Sequence, residues 1–184
     1  MADRKKHVIL MGMPGSGKSS LGFVLSKLMR LPFVDTDYYI IKKEQKSVSD
    51  IFAKHGEDYF RELEKQILLE IVENEPSVIS TGGGMPCFFD NMDIMNEFAV
   101  TVYLEVTPEQ LFEHLKNDKK RPLVKDKTNE ELMDYINTSL MQRKPYYEKA
   151  DITIRIVNST PVQLAIDLCE KIASHKSSDT ICYE

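Results

Sequence analysis

Residues 8–19 read VILMGMPGSGKS, and this stretch decides the fold. The apolar run at residues 8–11 is typical of a strand buried on both faces, and it stops at Gly12. Residues 12–19 match the pattern GxxxxGK[ST], whose glycines let backbone N–H groups curl round phosphates. A helical pattern follows at residues 19–30. Strand, loop and helix in this order predict a nucleotide-binding P-loop, although a plain glycine-rich turn remains the alternative.

The P-loop pattern assigns a task to individual residues. Lys18 is expected to reach the outer phosphates, and the hydroxyl of Ser19 is expected to bind Mg²⁺. The predicted nucleotide-binding residues of the loop and the following helix are Gly15, Ser16, Gly17, Lys18, Ser19 and Ser20.

Further short apolar runs alternate with helical patterns along the chain. The remaining strand candidates lie at residues 32–34, 78–80, 100–106 and 151–157. A long helical pattern covers residues 57–74, and capping boxes that start helices lie at 107–110, 128–131 and 160–163. Pro145 is expected to interrupt the helix that starts near residue 128. This alternation predicts an α/β fold: a five-stranded parallel sheet with helices on both faces.

Chemically interesting residues follow the first three predicted strands. The P-loop follows the first, Asp35 and Asp37 follow the second, and the triple glycine at 82–84 follows the third. Ligands of parallel sheets bind outside the carboxyl ends of the strands, so these groups are expected at one edge. Each has an alternative explanation: an aspartate can cap a helix, and glycines can form a flexible loop.

Composition indicates one globular domain without a nucleic-acid partner. The 184 residues include 24 basic and 29 acidic side chains, and a net charge of -5 is a poor footprint for binding nucleic acid. The three cysteines fit neither a disulfide framework nor a zinc site, and the N-terminal apolar run is too short for a membrane span. We expect a cytoplasmic protein with one domain at residues 1–174 and a flexible C-terminal tail at residues 175–184.

Motifs for a GTP-binding switch are missing from the sequence, which favours phosphoryl transfer to a small molecule. Such a reaction needs a group that orients the acceptor hydroxyl and cations that stabilise the transferred charge. Asp35 and Asp37 are candidates for the first task. Arg61, Arg121 and Arg143 are candidates for the second, because guanidinium groups bind carboxylates and phosphates in a bidentate manner.

Taken together, these motifs resemble those of the shikimate kinase family. The resemblance covers nearly the whole chain, and the motifs stand in the same order as in the family. They are the P-loop, FVDTD at residues 33–37, GE at 56–57 with FR at 60–61 and Glu64, GGG at 82–84, RPL at 121–123, and Arg143 with Pro145, Tyr147 and Ala150. It implies a three-layer P-loop kinase fold with a mobile lid. It also implies ATP-dependent phosphorylation of the 3-hydroxyl of shikimate to 3-phosphoshikimate and ADP, a step in chorismate and aromatic amino acid biosynthesis.

The same resemblance implies roles around the nucleotide. Ser19 would bind Mg²⁺, and Asp35 would support the ion through water. Arg121 lies in the expected lid, at about residues 117–127, and would deliver positive charge to the phosphates of ATP. Closure of a lid excludes water, which would otherwise accept the phosphoryl group.

For the acceptor, the resemblance implies that Asp37 holds the reacting hydroxyl and accepts its proton. Arg61 and Arg143 would bind the shikimate carboxylate, with Gly83 against the ring hydroxyls. The expected catalytic residues are therefore Asp37, Lys18 and Arg121. The expected substrate-binding residues are Asp37, Arg61, Gly82, Gly83, Gly84 and Arg143.

Two positions depart from the family pattern. His114 stands where the family often has an arginine that stacks on adenine, and residues 158–160 lack a further arginine expected near the base. The simpler explanation of His114 is a helix-surface residue. Three other functions stay open from the residues alone: a gluconate kinase, a nucleoside monophosphate kinase, and a binding module without catalysis. Nothing in the sequence requires a dimer, so we expect a monomer.

Overall fold

The computed structural model describes residues 6–117, 127–157 and 159–180. None of the helices in these ranges has the length and apolar character needed to cross a bilayer. Strands and helices alternate along the chain. In chain order they are β1 (His7–Met11), α1 (Lys18–Met29), β2 (Phe33–Asp35), α2 (Thr36–Glu44), α3 (Val48–Glu73), β3 (Val78–Ser80), a 3-10 turn (Met85–Cys87), α4 (Asn91–Phe98), β4 (Ala99–Glu105), α5 (Pro108–Leu115), α6 (Asn129–Tyr147), β5 (Ile152–Arg155) and α7 (Pro161–Thr180).

The strands form one parallel sheet in the order β2-β3-β1-β4-β5, which confirms the predicted five-stranded sheet. β1 lies at its centre. The chain goes first to the edge strand β2 and returns through β3 beside β1, and it then adds β4 and β5 on the other side. The order of the strands therefore reverses at β1, and such a switch point opens a crevice for ligands at the carboxyl edge.

Both faces of β1 are buried, as its apolar run predicts. Val8 and Leu10 belong to a core cluster shared with α1 and α7, whereas Ile9 and Met11 belong to a cluster shared with α3 and α5. Successive side chains of a strand point to opposite faces, so a single apolar strand supplies both cores. Two helical layers thus fix β1, and with it the loop that follows.

The expectation that Pro145 interrupts its helix is wrong, because α6 continues to Tyr147. Proline removes one backbone donor and crowds the carbonyl four residues earlier, here that of Met141. Met141 is 72% exposed, so water can reach this side of the helix. Pro145 also stands in the last turn, where few helical bonds remain to be lost.

The C-terminal helix is longer than expected, since α7 continues to Thr180 and covers part of the predicted flexible tail. After Pro161 no glycine or proline interrupts the helix within α7. Nε2 of His175 also lies 3.7 Å from Oδ1 of Asp151. This contact joins the start of the expected tail to the sheet. Residues 181–184 lie outside the described part of the chain.

Three helical segments were not expected from the sequence. They are α2, α4 and the first part of α3, which precedes a break at Gly56 with φ 81° and ψ 177°. The first part of α3 brings Phe52 against Phe60, with ring centroids 4.5 Å apart. A contact across such a kink is tertiary in origin, which explains why local periodicity does not reveal it.

Candidate active site

The loops that follow β1, β2 and β3 meet at the carboxyl edge of the sheet. Leu10 pairs in register with Ser80, and Ser80 pairs with Asp35, so the three strands end at nearly the same level. The P-loop, the two aspartates and the triple glycine are therefore neighbours, as the sequence predicts.

The P-loop encloses its own lysine. Lys18 is 8% exposed, and its Nζ donates hydrogen bonds to the carbonyl oxygens of Gly12 at 3.0 Å and Met13 at 2.9 Å. Helix α1 begins at Lys18, directly after Gly17, so its positive N-terminal end opens at the loop. Backbone amides, a helix N-terminus and an ammonium group together suit a polyphosphate.

Ser19 and Asp35 meet between the P-loop and the end of β2. The Ser19 hydroxyl donates to Oδ2 of Asp35 at 2.7 Å and lies 3.3 Å from the hydroxyl of Ser80. Oδ1 of Asp35 accepts the N–H of Tyr38 at 3.2 Å, so Asp35 is also the N-cap of α2. Hard oxygen donors of this kind suit Mg²⁺, which commonly takes one or two protein ligands and fills its shell with phosphate and water. The residues present fit the metal.

Thr36 and Asp37 connect the start of α2 to the triple glycine. Thr36 is fully buried, and its Oγ1 accepts the N–H of Gly82 at 2.9 Å. A Cβ atom on Gly82 would lie 2.8 Å from Oδ1 of Asp37, so this carboxylate rests directly against the glycine backbone. The buried threonine therefore anchors the glycine loop, and Asp35 and Asp37 on either side of it line a common cavity.

A side chain at any position of the triple glycine would crowd the side chains around it. Real Cβ atoms essentially never come within 3.0 Å of another heavy atom of this kind, yet one built here would do so at each position. At Gly82 such a Cβ would lie 2.8 Å from Oε1 of Glu64. At Gly83 it would lie 2.8 Å from Cδ of Pro14 and 3.3 Å from Nη1 of Arg143. At Gly84 it would lie 2.6 Å from Nη1 of Arg61. One backbone segment thus contacts the P-loop and the charged side chains together.

Arg61 is held by two carboxylates of its own helix. It is 8% exposed, and Nη1 donates to Oε2 of Glu64 at 2.6 Å. Nε and Nη2 donate to Oε1 of Glu57 at 3.1 and 2.7 Å. The guanidinium carbon lies 4.2 Å from the ring centroid of Phe88. Spacings of three and four residues place the carboxylates on the same face of α3 as the arginine, which fixes its orientation.

Glu64 is the most perturbed carboxylate of this cluster. Burial raises its pKa to about 7; the positive charge of Arg61 opposes the shift, and the nearby Asp37 adds to it. Burial opposes the charge of Arg61, but Glu64 and Glu57 outweigh it and raise the pKa of the guanidinium. The net charge around Arg61 near neutral pH therefore depends on the protonation of Glu64.

Arg143 reaches the site from α6. It is half-buried, and one turn later Tyr147 is fully buried and donates its hydroxyl to the carbonyl of Gly83 at 2.5 Å. The ring of Tyr147 stacks on Tyr103 of β4 with centroids 5.1 Å apart. Burial raises the pKa of the Tyr147 hydroxyl, so it stays protonated and remains a donor. This bond ties α6 to the glycine loop and brings Arg143 to it.

The site has two cavities, which we call the nucleotide side and the acceptor side. The nucleotide side is a cavity of about 200 Å³ bounded by the P-loop, Asp35, Asp37 and Thr81. The acceptor side is a larger cavity of about 840 Å³ that contains both arginines. Its wall also includes Cys87, whose thiol pKa is raised by burial to about 11. Asp37 lines the nucleotide side, and Gly83 and Gly84 lie beside the two arginines of the acceptor side.

The structure brings together the predicted residues of the P-loop, the two aspartates, the three glycines, Arg61 and Arg143. Arg121, residues 118–126 of the expected lid, and Asn158 lie outside the described residues. The roles of Glu64, Thr36 and Tyr147 were not assigned from the sequence. Helical spacing from Arg61 could have indicated Glu64, whereas the contacts of Thr36 and Tyr147 cross the fold and leave no local signal.

Comparison with known proteins identifies a family. The family model described as shikimate kinase matches residues 14–173. The shikimate kinase of Parabacteroides distasonis is 50% identical over 149 residues, which cover 80% of this chain and 86% of that protein. The shikimate kinase of Phocaeicola vulgatus is 42% identical over 169 residues, covering 90% and 97% respectively.

Solved structures agree with the sequence relatives. A shikimate kinase from Bacteroides thetaiotaomicron superposes with a TM-score of 0.85 at 37% identity, covering 91% of this chain and 98% of that one. A shikimate kinase from Acinetobacter baumannii in complex with shikimate gives 0.87 at 30% identity, covering 95% and 96%. A gluconokinase from Sinorhizobium meliloti gives 0.58 at 17% identity, covering 94% and 96%, and shares the fold alone.

Proposed function

The chain belongs to the shikimate kinase family, and from that premise we propose that it transfers the γ-phosphoryl group of ATP to the 3-hydroxyl of shikimate. The products are 3-phosphoshikimate and ADP, within chorismate and aromatic amino acid biosynthesis. The observation that carries the proposal is the triple glycine, since its three residues lie close beside Asp37, Arg61, Arg143 and the P-loop residue Pro14.

On the acceptor side, Arg61 and Arg143 bind the carboxylate of shikimate. Arg61 is preorganised by Glu57 and Glu64, so little side-chain freedom is lost when the acceptor binds. The glycines let the ring approach the backbone without obstruction by side chains. A planar guanidinium matches a carboxylate through paired hydrogen bonds, which fixes the orientation of the ring as well as its affinity.

On the nucleotide side, the P-loop amides and the N-terminus of α1 bind the phosphates of ATP. Lys18 exchanges its bonds to the loop carbonyls for the outer phosphates. Ser19 and Asp35 would hold Mg²⁺. When bound, the ion neutralises part of the negative charge that accumulates on the phosphoryl oxygens.

Asp37 orients the acceptor hydroxyl toward the γ-phosphorus and accepts its proton. A bond forms between the 3-oxygen and the γ-phosphorus, and the bond from that phosphorus to the bridging oxygen of ADP breaks. Arg121 supplies further positive charge to the phosphates from the lid. We also propose that the protein works in the cytoplasm and as a monomer; both of these rest on the sequence alone.

The test is ADP release by the purified chain with Mg·ATP and separate acceptors: shikimate, gluconate and a set of nucleoside monophosphates. We expect turnover with shikimate only, and a phosphorus NMR signal from a secondary phosphate ester rather than free phosphate. Turnover with another acceptor, or none above the background hydrolysis of ATP, would contradict the proposal. Omission of Mg²⁺ should abolish the signal.

A further inference from the structure

The last turn of α5 contacts the P-loop through His114. Nδ1 of His114 lies 2.8 Å from the carbonyl oxygen of Gly15. A carbonyl oxygen can only accept, so Nδ1 carries the hydrogen and donates it. This bond joins an exposed side chain to a loop 99 residues away in the chain. His114 is therefore an exposed helix residue that has a defined partner, the Gly15 carbonyl, on the nucleotide side.

The peptide unit between Gly15 and Ser16 is held at both ends. His114 binds its carbonyl from outside the loop, and its N–H, which belongs to Ser16, donates to the carbonyl of Met13 at 3.1 Å. The plane of this peptide is therefore fixed. Its orientation determines how the following amides of the loop are presented to a phosphate.

The helix that offers His114 is itself rigidly placed. Leu115, the next residue, is 2% exposed, and a Cβ atom on Gly15 would lie only 3.0 Å from its Cγ. The other end of α5 has a complete capping box, formed by Thr107 and Gln110. The donor thus projects from a packed and capped helix directly beside the loop.

We propose that His114 is a positioning residue for the nucleotide side, acting through the carbonyl of Gly15 rather than through the base of the nucleotide. The proposal rests on the proposed function, since it assumes that the P-loop binds ATP. Preorganising the loop lowers the entropy lost on binding, so removal of the bond weakens phosphate binding and leaves the acceptor side unchanged.

The test compares two substitutions of similar size. Nδ2 of asparagine can replace Nδ1 of histidine as a donor, whereas leucine has no donor. We expect His114→Leu to weaken binding of Mg·ADP by about 3- to 10-fold, the effect of one hydrogen bond, while His114→Asn binds nearly as the wild type does. KM for shikimate and kcat at saturating ATP should not change. Glu113→Gln, on the same turn, is the matched control.

Calorimetry with Mg·tripolyphosphate separates the loop from the base. If His114 acts through the loop, His114→Leu loses affinity for ADP and for tripolyphosphate by the same factor. If His114→Leu loses affinity for ADP alone, or for neither ligand, the proposal for His114 is overturned. The proposed ATP site is unaffected by that result as long as the wild type binds both ligands. If the wild type binds neither ligand, the proposed function fails and the role of His114 fails with it.

Discussion

The two sides of the active site are built in opposite ways. The phosphate-binding part of the nucleotide side comes from one contiguous segment, residues 12–19, and relies on backbone groups, one lysine and a helix N-terminus. The acceptor side is assembled from side chains of α2, α3 and α6 around the triple glycine. A contiguous motif takes most of its geometry from local backbone conformation, to which packing adds the bond from His114, whereas the acceptor side exists only when distant segments pack together. Substitutions on the two sides should therefore separate cleanly.

The largest expected effect is that of Asp37→Asn. Asparagine keeps the shape of the side chain but cannot accept the proton of the acceptor, so kcat should fall by about 10²- to 10⁴-fold. Affinity for Mg·ADP, measured by calorimetry, should fall much less than kcat, because the proposed role of Asp37 is at the acceptor hydroxyl even though its side chain lines the nucleotide cavity. Equal losses in turnover and nucleotide affinity would show that Asp37 acts on the nucleotide as much as on the acceptor.

Next comes Arg143→Ala, which deletes a half-buried cation from the acceptor side. We expect KM for shikimate to rise about 30-fold, or about 2 kcal/mol, with KM for ATP unchanged. The adjacent Lys144→Ala is the control, since Lys144 pairs with Glu105 and Glu148 instead. An unchanged KM for shikimate in Arg143→Ala would exclude this arginine from the acceptor side.

The electrostatics of the acceptor side are tested by Glu64→Gln. The folded pKa of Glu64 is about 7, above its ordinary value of 4.5, so folding favours the protonated form. The contribution of Glu64 to stability is fully present below pH 4.5 and is lost as the pH rises to 7. Relative to Glu64→Gln, the wild type should lose about 2 to 3 kcal/mol of unfolding free energy over this interval.

Denaturant titrations at pH 4.5 and pH 8 measure that difference. Glu57→Gln is the matched control, because Glu57 binds the same arginine but its side chain is 56% exposed. A constant difference between wild type and Glu64→Gln at both pH values would show that Glu64 does not titrate as its burial requires.

The smallest effect is expected at the opposite edge of the sheet. His7 is fully buried, its Nδ1 accepts the N–H of Ser77 at 3.2 Å, and its Nε2 donates to the carbonyl of Val72 at 3.1 Å. Burial lowers its pKa, so the fold holds the neutral ring. Stability from His7 is present above its unfolded pKa of 6.5 and is lost as the pH falls below it.

His7→Gln should cost about 1 kcal/mol at pH 8 and weaken this acid sensitivity, with both KM values unchanged. Thermal melts at pH 5.5 and pH 8 check it, and the exposed His55→Gln serves as control. A changed KM for either substrate would mean that His7, at the amino edge of the sheet, affects the site at the carboxyl edge. That result would contradict the view that each side of the site depends only on the residues around it.

Particular residues show how far the sequence predicts this protein. The P-loop, the strands and two capping boxes follow from local patterns, and the structure confirms them. Pro145 was misjudged because its cost depends on solvent exposure and on its place in the helix. The sequence does not reveal α2, because its nine residues lack a clear apolar stripe and because an aspartate such as Asp35 can either cap a helix or serve a ligand.

The sequence by itself determined the alternating α/β fold and the strand, loop and helix that form the P-loop. These depend on interactions between near neighbours in the chain, which composition and spacing record. Only the tertiary structure decided that side chains crowd the triple glycine, that Glu64 is buried against Arg61, and that His114 binds the P-loop. Each of these depends on the packing of distant segments, where burial and distances of less than 3 Å set the energy and no local pattern records them.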